Sequence, residues 1–157
     1  MRWAALVFVL VSTIVLPMAP ARAGASPPKI LMRIYVQTNE GLPPSEAMPV
    51  SVPPDNEVIY IRSMPEVTEQ NLAGAESIPE GVKLIFDHTG QVDLDAVTGQ
   101  DQNRILVVTI DGVVVYAPII DQQITDGVLI IPHLTNPVIV QLLQECAAKN
   151  NREAKRT

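Results

Sequence analysis

The strongest structural signal in this chain is the sequence Ile105-Leu-Val-Val-Thr-Ile-Asp-Gly-Val-Val-Val-Tyr-Ala-Pro-Ile-Ile120. Two runs rich in β-branched residues, 104–110 and 113–117, flank the dipeptide Asp111-Gly112. An Asp-Gly pair suits the two positive-φ positions of a type I′ turn, so this region predicts a β-hairpin. Both runs are almost continuously apolar, which indicates burial on both faces of a sheet or an edge that something covers.

The rest of the chain predicts an α+β fold. Alternating apolar and polar residues indicate strands at residues 29–37, 57–62 and 81–87, and a shorter strand is expected at residues 128–131. Helical spacing, caps and an N-terminal proline predict helices at residues 68–76, 92–98 and 137–148. We therefore expect a mixed or antiparallel sheet with the Asp-Gly hairpin at its centre and the helices packed on one face.

A proline-rich segment follows the first predicted strand. Residues 38–56 contain five prolines and a glycine, a composition that resists both helix formation and strand pairing. We expect an irregular linker here, so residues 24–56 would form an N-terminal strand loosely tied to a domain at residues 57–150. Residues 151–157 form a basic C-terminal tail, whose charges suit the end of a helix dipole or, alternatively, attraction to a membrane surface.

The N-terminus has the order of a secretory signal peptide. A basic residue at Arg2 precedes an apolar run that ends at Pro17, and Ala21 and Ala23 fit a signal-peptidase site. We expect cleavage after Ala23, an exported chain in the periplasm or outside the cell, and no membrane span after cleavage. The alternative is an uncleaved anchor, but the apolar run is shorter than the roughly 20 residues that a spanning helix needs.

The composition excludes several classes of partner and chemistry. The net charge of −6 argues against nucleic acid, whose phosphates require clustered Lys and Arg. Cys146 is the one cysteine, so no intrachain disulfide can form, and its place in an apolar helical stripe predicts a buried thiol.

The residues that carry enzyme chemistry are not arranged for it. His88 and His133 lack a second ligand at a metal-binding interval, and Asp87-His88-Thr89 has no accompanying nucleophile motif. Asp93 and Asp95 are two positions apart, so they would not face each other on a helix. No phosphate-binding glycine loop is present either. The sequence therefore predicts a protein that is not an enzyme, with no metal, no cofactor and no small-molecule substrate.

From the Asp-Gly hairpin onward, the sequence resembles the head of the first periplasmic domain of SecD, a subunit of the bacterial SecDF preprotein translocase. The resemblance rests on the hairpin, on Tyr116-Ala117-Pro118, Ile124 and Gly127, and on the closing amphipathic helix, and it covers residues 57–148. Asn103 and Pro132 stand where that family usually has glycine, which affects the local loop conformation.

This resemblance implies a detached SecD head, whose family role is non-catalytic contact with polypeptides emerging from the translocon. The first functional hypothesis is thus an exported binding module that contacts polypeptides or envelope proteins and assists export. The alternative is a structural or adaptor domain that uses the same fold for oligomerisation or for a dedicated partner unrelated to export, because a fold does not fix a function.

The expected partner-binding residues lie at the end of the second hairpin strand. If Tyr116, Pro118, Ile119 and Ile120 stay exposed, they offer an apolar strip to an extended polypeptide. The alternative is a central strand buried on both faces, in which these residues belong to the core.

Overall fold

The computed structural model describes residues 29–156, which contain nine β-strands, two α-helices and one 3₁₀ turn. The predicted signal peptide and its cleavage site at Ala23 lie outside the described residues. The elements are β1 (Met32–Val36), β2 (Ala47–Val52), β3 (Glu57–Arg62), β4 (Val67–Thr68), β5 (Leu72–Ile78), β6 (Gly81–Phe86), α1 (His88–Gln100), β7 (Leu106–Ile110), β8 (Val113–Tyr116), β9 (Val128–Pro132) and α2 (Pro137–Ala154).

The main sheet has four strands in the order β4-β1-β7-β8, and every pairing in it is antiparallel. Asp111 and Gly112 join β7 to β8 with φ angles of 50° and 82°, the two positive values of a type I′ turn. All five residues of β7 are buried because the main core covers one face of the strand and the β2–β3 hairpin covers the other, while β1 and β8 pair with its two edges. The predicted α+β class with antiparallel pairing is confirmed.

The second strand of the hairpin does not lie at the centre of the sheet. β8 is an edge strand, Val113 at its start is 66% exposed, and the following residues of the strand are half-buried. The expectation of a strand buried on both faces is therefore wrong for β8. An apolar β-branched run does not reveal whether a strand has a neighbour on one edge or on both. Here β7 lies between β1 and β8, so β8 takes the edge of the sheet.

The proline-rich segment is not an irregular linker throughout. Residues 47–52 form β2, which pairs with β3 in a two-stranded hairpin. Pro49 lies opposite Tyr60, whose carbonyl accepts a hydrogen bond from Thr38 N at 2.8 Å. The backbone groups of Pro49 and Tyr60 thus point away from each other. An N–H at position 49 would have pointed to the free edge of β2, where proline is tolerated.

The N-terminal strand is an interior part of the sheet rather than a loosely tied segment. β1 lies between β4 and β7, and its residues Met32, Ile34 and Val36 are completely buried. The β2–β3 hairpin covers the other face of this sheet, where Ile59 and Ile61 pack with Tyr35 and Val107 in a second core cluster. Residues 29–56 therefore belong to the same packed body as the strands that follow.

The helix predicted at residues 68–76 is wrong. Thr68 does cap a turn, since its hydroxyl accepts from Gln70 N at 3.3 Å, but the turn is a 3₁₀ turn of only three residues. Residues 72–78 continue as β5, which forms a hairpin with β6. A β-bulge between Leu72 and Gly74 inserts an extra residue, so Leu72 and Ala75 both reach the core at a spacing that imitates a helix.

A second sheet has the order β5-β6-β9 and packs with both helices against the main sheet in one hydrophobic core. Helix α1 is longer than predicted because Asp87 caps it, accepting from Gly90 N at 2.8 Å. Helix α2 begins as predicted, with Asn136 as its cap and Pro137 in the first turn. The core of this helix consists of Val140, Leu143 and Ala147, whereas Cys146 is only half-buried, so the buried stripe is rotated from the predicted one.

Candidate binding cleft

A cleft of about 310 Å³ separates the end of β8 from β9, and we call it the binding cleft. Tyr116, Pro118 and Ile119 line it from the β8 side, and Val128 and Ile130 line it from the β9 side. Ile119 is 63% exposed and Ile130 is 46% exposed. The structure thus places the four residues singled out from the sequence in the cleft lining, together with apolar residues from a different sheet.

The fourth residue, Ile120, is placed differently from the expectation of an exposed end. Its side chain reaches the wall of the cleft but is only 4% exposed, and it belongs to the main hydrophobic core. Neighbouring residues of an extended chain point to opposite sides, so the exposure of Ile119 places Ile120 in the interior. Ile120 is a structural residue, and a mutation there would test the core rather than the cleft.

The chain beyond β8 keeps an extended course and leaves one backbone edge free. Leu106 N donates to Pro118 O at 2.9 Å, and Ile120 N donates to Arg104 O at 2.8 Å. In an antiparallel ladder the backbone groups of the intervening residues point away from the partner strand. Within residues 29–156, the backbone N–H and C=O groups of Ala117 and Ile119 accordingly make no hydrogen bond.

Pro118 does not remove a hydrogen-bond donor from the free edge. The Pro118 carbonyl points to β7, and both backbone groups of one strand residue point to the same side. The N–H that Pro118 lacks would therefore have faced β7. The outward edge keeps a complete set of donors and acceptors at Ala117 and Ile119.

β9 presents a second free edge at the cleft. It pairs only with β6 among the described strands, and Phe86 N donates to Gly127 O at 2.9 Å next to this ladder. The alternation of the ladder then directs the backbone groups of Ile130 away from β6. No described strand bridges β8 and β9, so unpaired groups from two sheets border one apolar cleft.

The loop at residues 121–127 forms a fixed wall of the cleft because α1 holds it. Ile124 N donates to Thr98 Oγ1 at 2.9 Å, and Gln123 Nε2 donates to Asp95 Oδ1 at 2.7 Å. Gly127 has a φ of +67°, and a Cβ there would lie 2.9 Å from Cβ of Gln91. Close packing of this kind makes the cleft a preformed feature rather than one that a ligand must create.

The charges at the cleft are acidic. Asp121 and Asp126 line it, and no Lys, Arg or His does so in the described part of the chain. Two basic residues that adjoin the cleft lining are engaged elsewhere. Lys83, which lies across the ladder from Ile130, pairs with Glu76 at 3.0 Å, and Arg104 points to Asp101.

A second cavity, of about 480 Å³, is wider and lies beside an ion-pair network. Arg62 bonds the carboxylate of Glu66 at 2.7 Å and that of Asp101, also at 2.7 Å. The hydrogen bond to Glu66 raises the pKa of the Arg62 guanidinium above its usual range. Asp101 is buried and caps the end of α1, so this network ties β3 to α1, which is a structural role.

The Cys146 thiol lies in surroundings that do not activate it. Burial raises the pKa of the Cys146 thiol, and the negative charge of Glu69 raises it further, so this thiol is less nucleophilic than a free one. In the range 29–156, no three His, Cys, Asp or Glu side chains are placed to hold a metal ion. Over the same range, no helix is both long enough and apolar enough to cross a membrane.

The described residues thus form an α+β protein in which a cleft opens between the edges of two antiparallel sheets. That fold is SecDF-like. One solved structure, SecDF described as a membrane component that enhances protein export, aligns with a TM-score of 0.55 and 20% sequence identity. A second, SecDF in a super-membrane-facing form, aligns with a TM-score of 0.53 and 21% identity.

The extent of these matches differs between the two molecules. Each covers 76% of this chain, but they cover only 62% of the first SecDF chain and 18% of the second. This chain therefore spans less than two thirds of either. The sequence matches no protein-family model, and no curated protein sequence matches it.

Half of the binding cleft could not be found from the sequence. The residues at 116–120 stood out because an apolar run ends in a proline. Val128 and Ile130 carried no such signal, since a short apolar strand after a turn is common in any core. Their place opposite Ile119 depends on the hydrogen bonds between α1 and the 121–127 loop, which join residues 26 to 34 positions apart.

Proposed function

We propose that this protein is an exported, non-catalytic binding module that contacts extended polypeptides and assists protein export. The observation that carries the proposal is the exposed side chain of Ile119 beside the unpaired backbone of Ala117 and Ile119. The SecDF-like fold supports the connection with export. The signal-peptide pattern at residues 1–23 supports a location in the periplasm or outside the cell.

The binding mode that fits these features is the addition of a strand to a sheet edge. An extended segment gains main-chain hydrogen bonds from the free edge, and pockets for alternate side chains add preference. Tyr116 lines the cleft and is half-buried, and tyrosine is suited to such a place because its ring offers a large apolar area and its hydroxyl can stay in water. Main-chain recognition of this kind suits a module that must accept many unrelated sequences.

The test is a single substitution in the cleft, Ile119→Ser. The probe is a fluorescently labelled secretory protein that has been reduced and alkylated so that it cannot refold. Burying an exposed isoleucine in part contributes about 1 kcal/mol, so we expect about fivefold weaker binding, measured by fluorescence anisotropy. The melting temperature should not change, because the side chain lies outside the core.

The matched control is Val138→Ser. Val138 is also 63% exposed, but it lies at the start of α2 and does not line the cleft. Equal binding by the wild type and the Ile119→Ser variant would remove the cleft from consideration. A change in sedimentation of Ile119→Ser without a change in client binding would instead favour an oligomerising adaptor.

A further inference from the structure

We infer that the binding cleft prefers extended segments in which a Lys or Arg lies close to an apolar side chain. This inference rests on the proposed function and adds the chemistry of the segment that is bound. It follows from the negative charges of Asp121 and Asp126 at the cleft.

The two carboxylates at the cleft are available to a ligand. Asp121 is exposed and makes no hydrogen bond or ion pair within the described residues. Asp126 is exposed as well, and its Oδ1 accepts from Val128 N at 3.0 Å, which leaves Oδ2 without a bond in this part of the chain. Both carboxylates are held beside the apolar wall by the loop that α1 fixes.

Lys83 and Arg104, which adjoin the cleft lining, bond to other groups and not to these aspartates. Lys83 Nζ bonds Glu76 Oε2 at 3.0 Å. Arg104 donates to the carbonyl of Gln37 at 3.0 Å and pairs with Asp101 at 3.4 Å. The acidic character of the cleft is therefore local and is not cancelled by its neighbours.

A strand added beside Ile119 meets both kinds of surface. Side chains two residues apart on a strand point to the same face, so a segment can place an apolar side chain against Ile119 and a basic one beside Asp121, which follows Ile119 by two positions. A long Lys or Arg side chain can cover apolar surface with its methylene groups and place its charge near Asp121 or Asp126. An acidic segment in the same register would be repelled.

The test compares two labelled peptides that have the same length and the same apolar residues at every fourth position. One carries Lys two residues after each apolar residue, so that both side chains face the cleft, and the other carries Glu there. Surface ion pairs contribute up to about 1 kcal/mol each, so we expect the Lys peptide to bind the wild type about fivefold more tightly at low salt. Raising the ionic strength should reduce this difference, because exposed charges are screened.

The deciding variant is the double substitution Asp121→Asn with Asp126→Asn. It removes both charges, while the amide oxygen at position 126 can still accept from Val128 N. We expect the two peptides to bind this variant equally. The control is Glu40→Gln with Glu57→Gln, which removes the same charge from exposed positions outside the cleft and should leave the preference intact.

The outcomes separate this inference from the proposed function. Equal binding of both peptides to the wild type, or a preference that survives in the double Asn variant, overturns the inference and leaves polypeptide binding in place. If neither peptide binds and the unfolded secretory protein does not bind either, the proposed function falls together with the inference.

Discussion

Asp111 shows how much one turn residue contributes to this fold. Besides its place in the hairpin turn, its backbone N donates to Leu31 O at 2.8 Å, and its Oδ1 accepts from Leu31 N at 2.9 Å. These two bonds continue the pairing of β1 with β7 beyond the end of the strands. The dipeptide that the sequence marked as a turn therefore also fixes the start of the N-terminal strand.

Replacing Gly112 with Val tests the backbone geometry of this turn. Gly112 has a φ of +82° and no atom within 4 Å of an added Cβ, so the cost comes from the backbone conformation and not from a clash. A β-branched residue in this region should lower the free energy of unfolding by about 1 kcal/mol or more, measured by urea denaturation.

Asn is the control at the same position. It tolerates positive φ better than other non-glycine residues, so Gly112→Asn should be clearly less destabilising than Gly112→Val. Equal stability of the Val variant and the wild type would contradict the turn assignment.

At the scale of elements, α2 is attached to β5 by amide side chains as well as by apolar packing. Asn150 Nδ2 donates to Glu69 O at 2.8 Å and to Leu72 O at 2.9 Å, and Asn151 Nδ2 donates to Ala73 O at 2.8 Å. The bulge between Leu72 and Gly74 interrupts the pairing of β5 with β6 at this point. The helix therefore donates to the carbonyl groups of Leu72 and Ala73 at the start of β5, and to that of Glu69, which also accepts from Leu72 N.

Loss of the Asn150 amide should be more costly than loss of its neighbour. Asn150→Ala leaves two part-buried carbonyls without this donor, and we expect a destabilisation of about 1 kcal/mol after a small gain in helix propensity. Asn151→Ala brings the same propensity gain but removes only one exposed bond, so it should be close to neutral. Thermal melting of both variants would show no difference if these bonds are unimportant.

Elements whose local chemistry agrees with their surroundings can be predicted from the sequence, whereas elements in which strand pairing changes the hydrophobic pattern cannot. The hairpin, β3 and the start of α2 follow from turn residues, alternation and a cap. β5 was mistaken for a helix because a bulge gave Leu72 and Ala75 helical spacing. β2 is not predicted because its segment contains Pro49. A proline breaks a strand only where its nitrogen faces a partner strand, and composition does not show which edge of a strand is free.

At the scale of the whole molecule, residues 29–156 form two antiparallel sheets around the main core, and the β2–β3 hairpin builds a second core cluster on the remaining face of the larger sheet. The binding cleft opens where the edges of the two sheets meet. Its opposing walls belong to different sheets, so its width is set by the packing of the entire core. A substitution deep in the core could therefore alter binding without touching the cleft.

The export part of the proposal predicts a shorter chain in the cell envelope. We expect the mature protein to begin at Gly24, after removal of residues 1–23. Intact-mass measurement of protein purified from the envelope fraction would establish this. A full-length mass together with partition into the membrane fraction would contradict it and indicate an uncleaved anchor.

The place of β1 in the main sheet has a consequence for the order of folding. Arg33 and Thr109, which face each other across the β1–β7 ladder, are 76 positions apart in the chain. Contacts over such distances require a large loop to close first, and chains that depend on them fold slowly. A chain that crosses a membrane N-terminus first delivers β1 well before β7, so its sheet cannot be completed until the hairpin at Asp111-Gly112 has followed. If the chain is exported as proposed, this architecture delays folding during translocation, while the chain still has to remain extended.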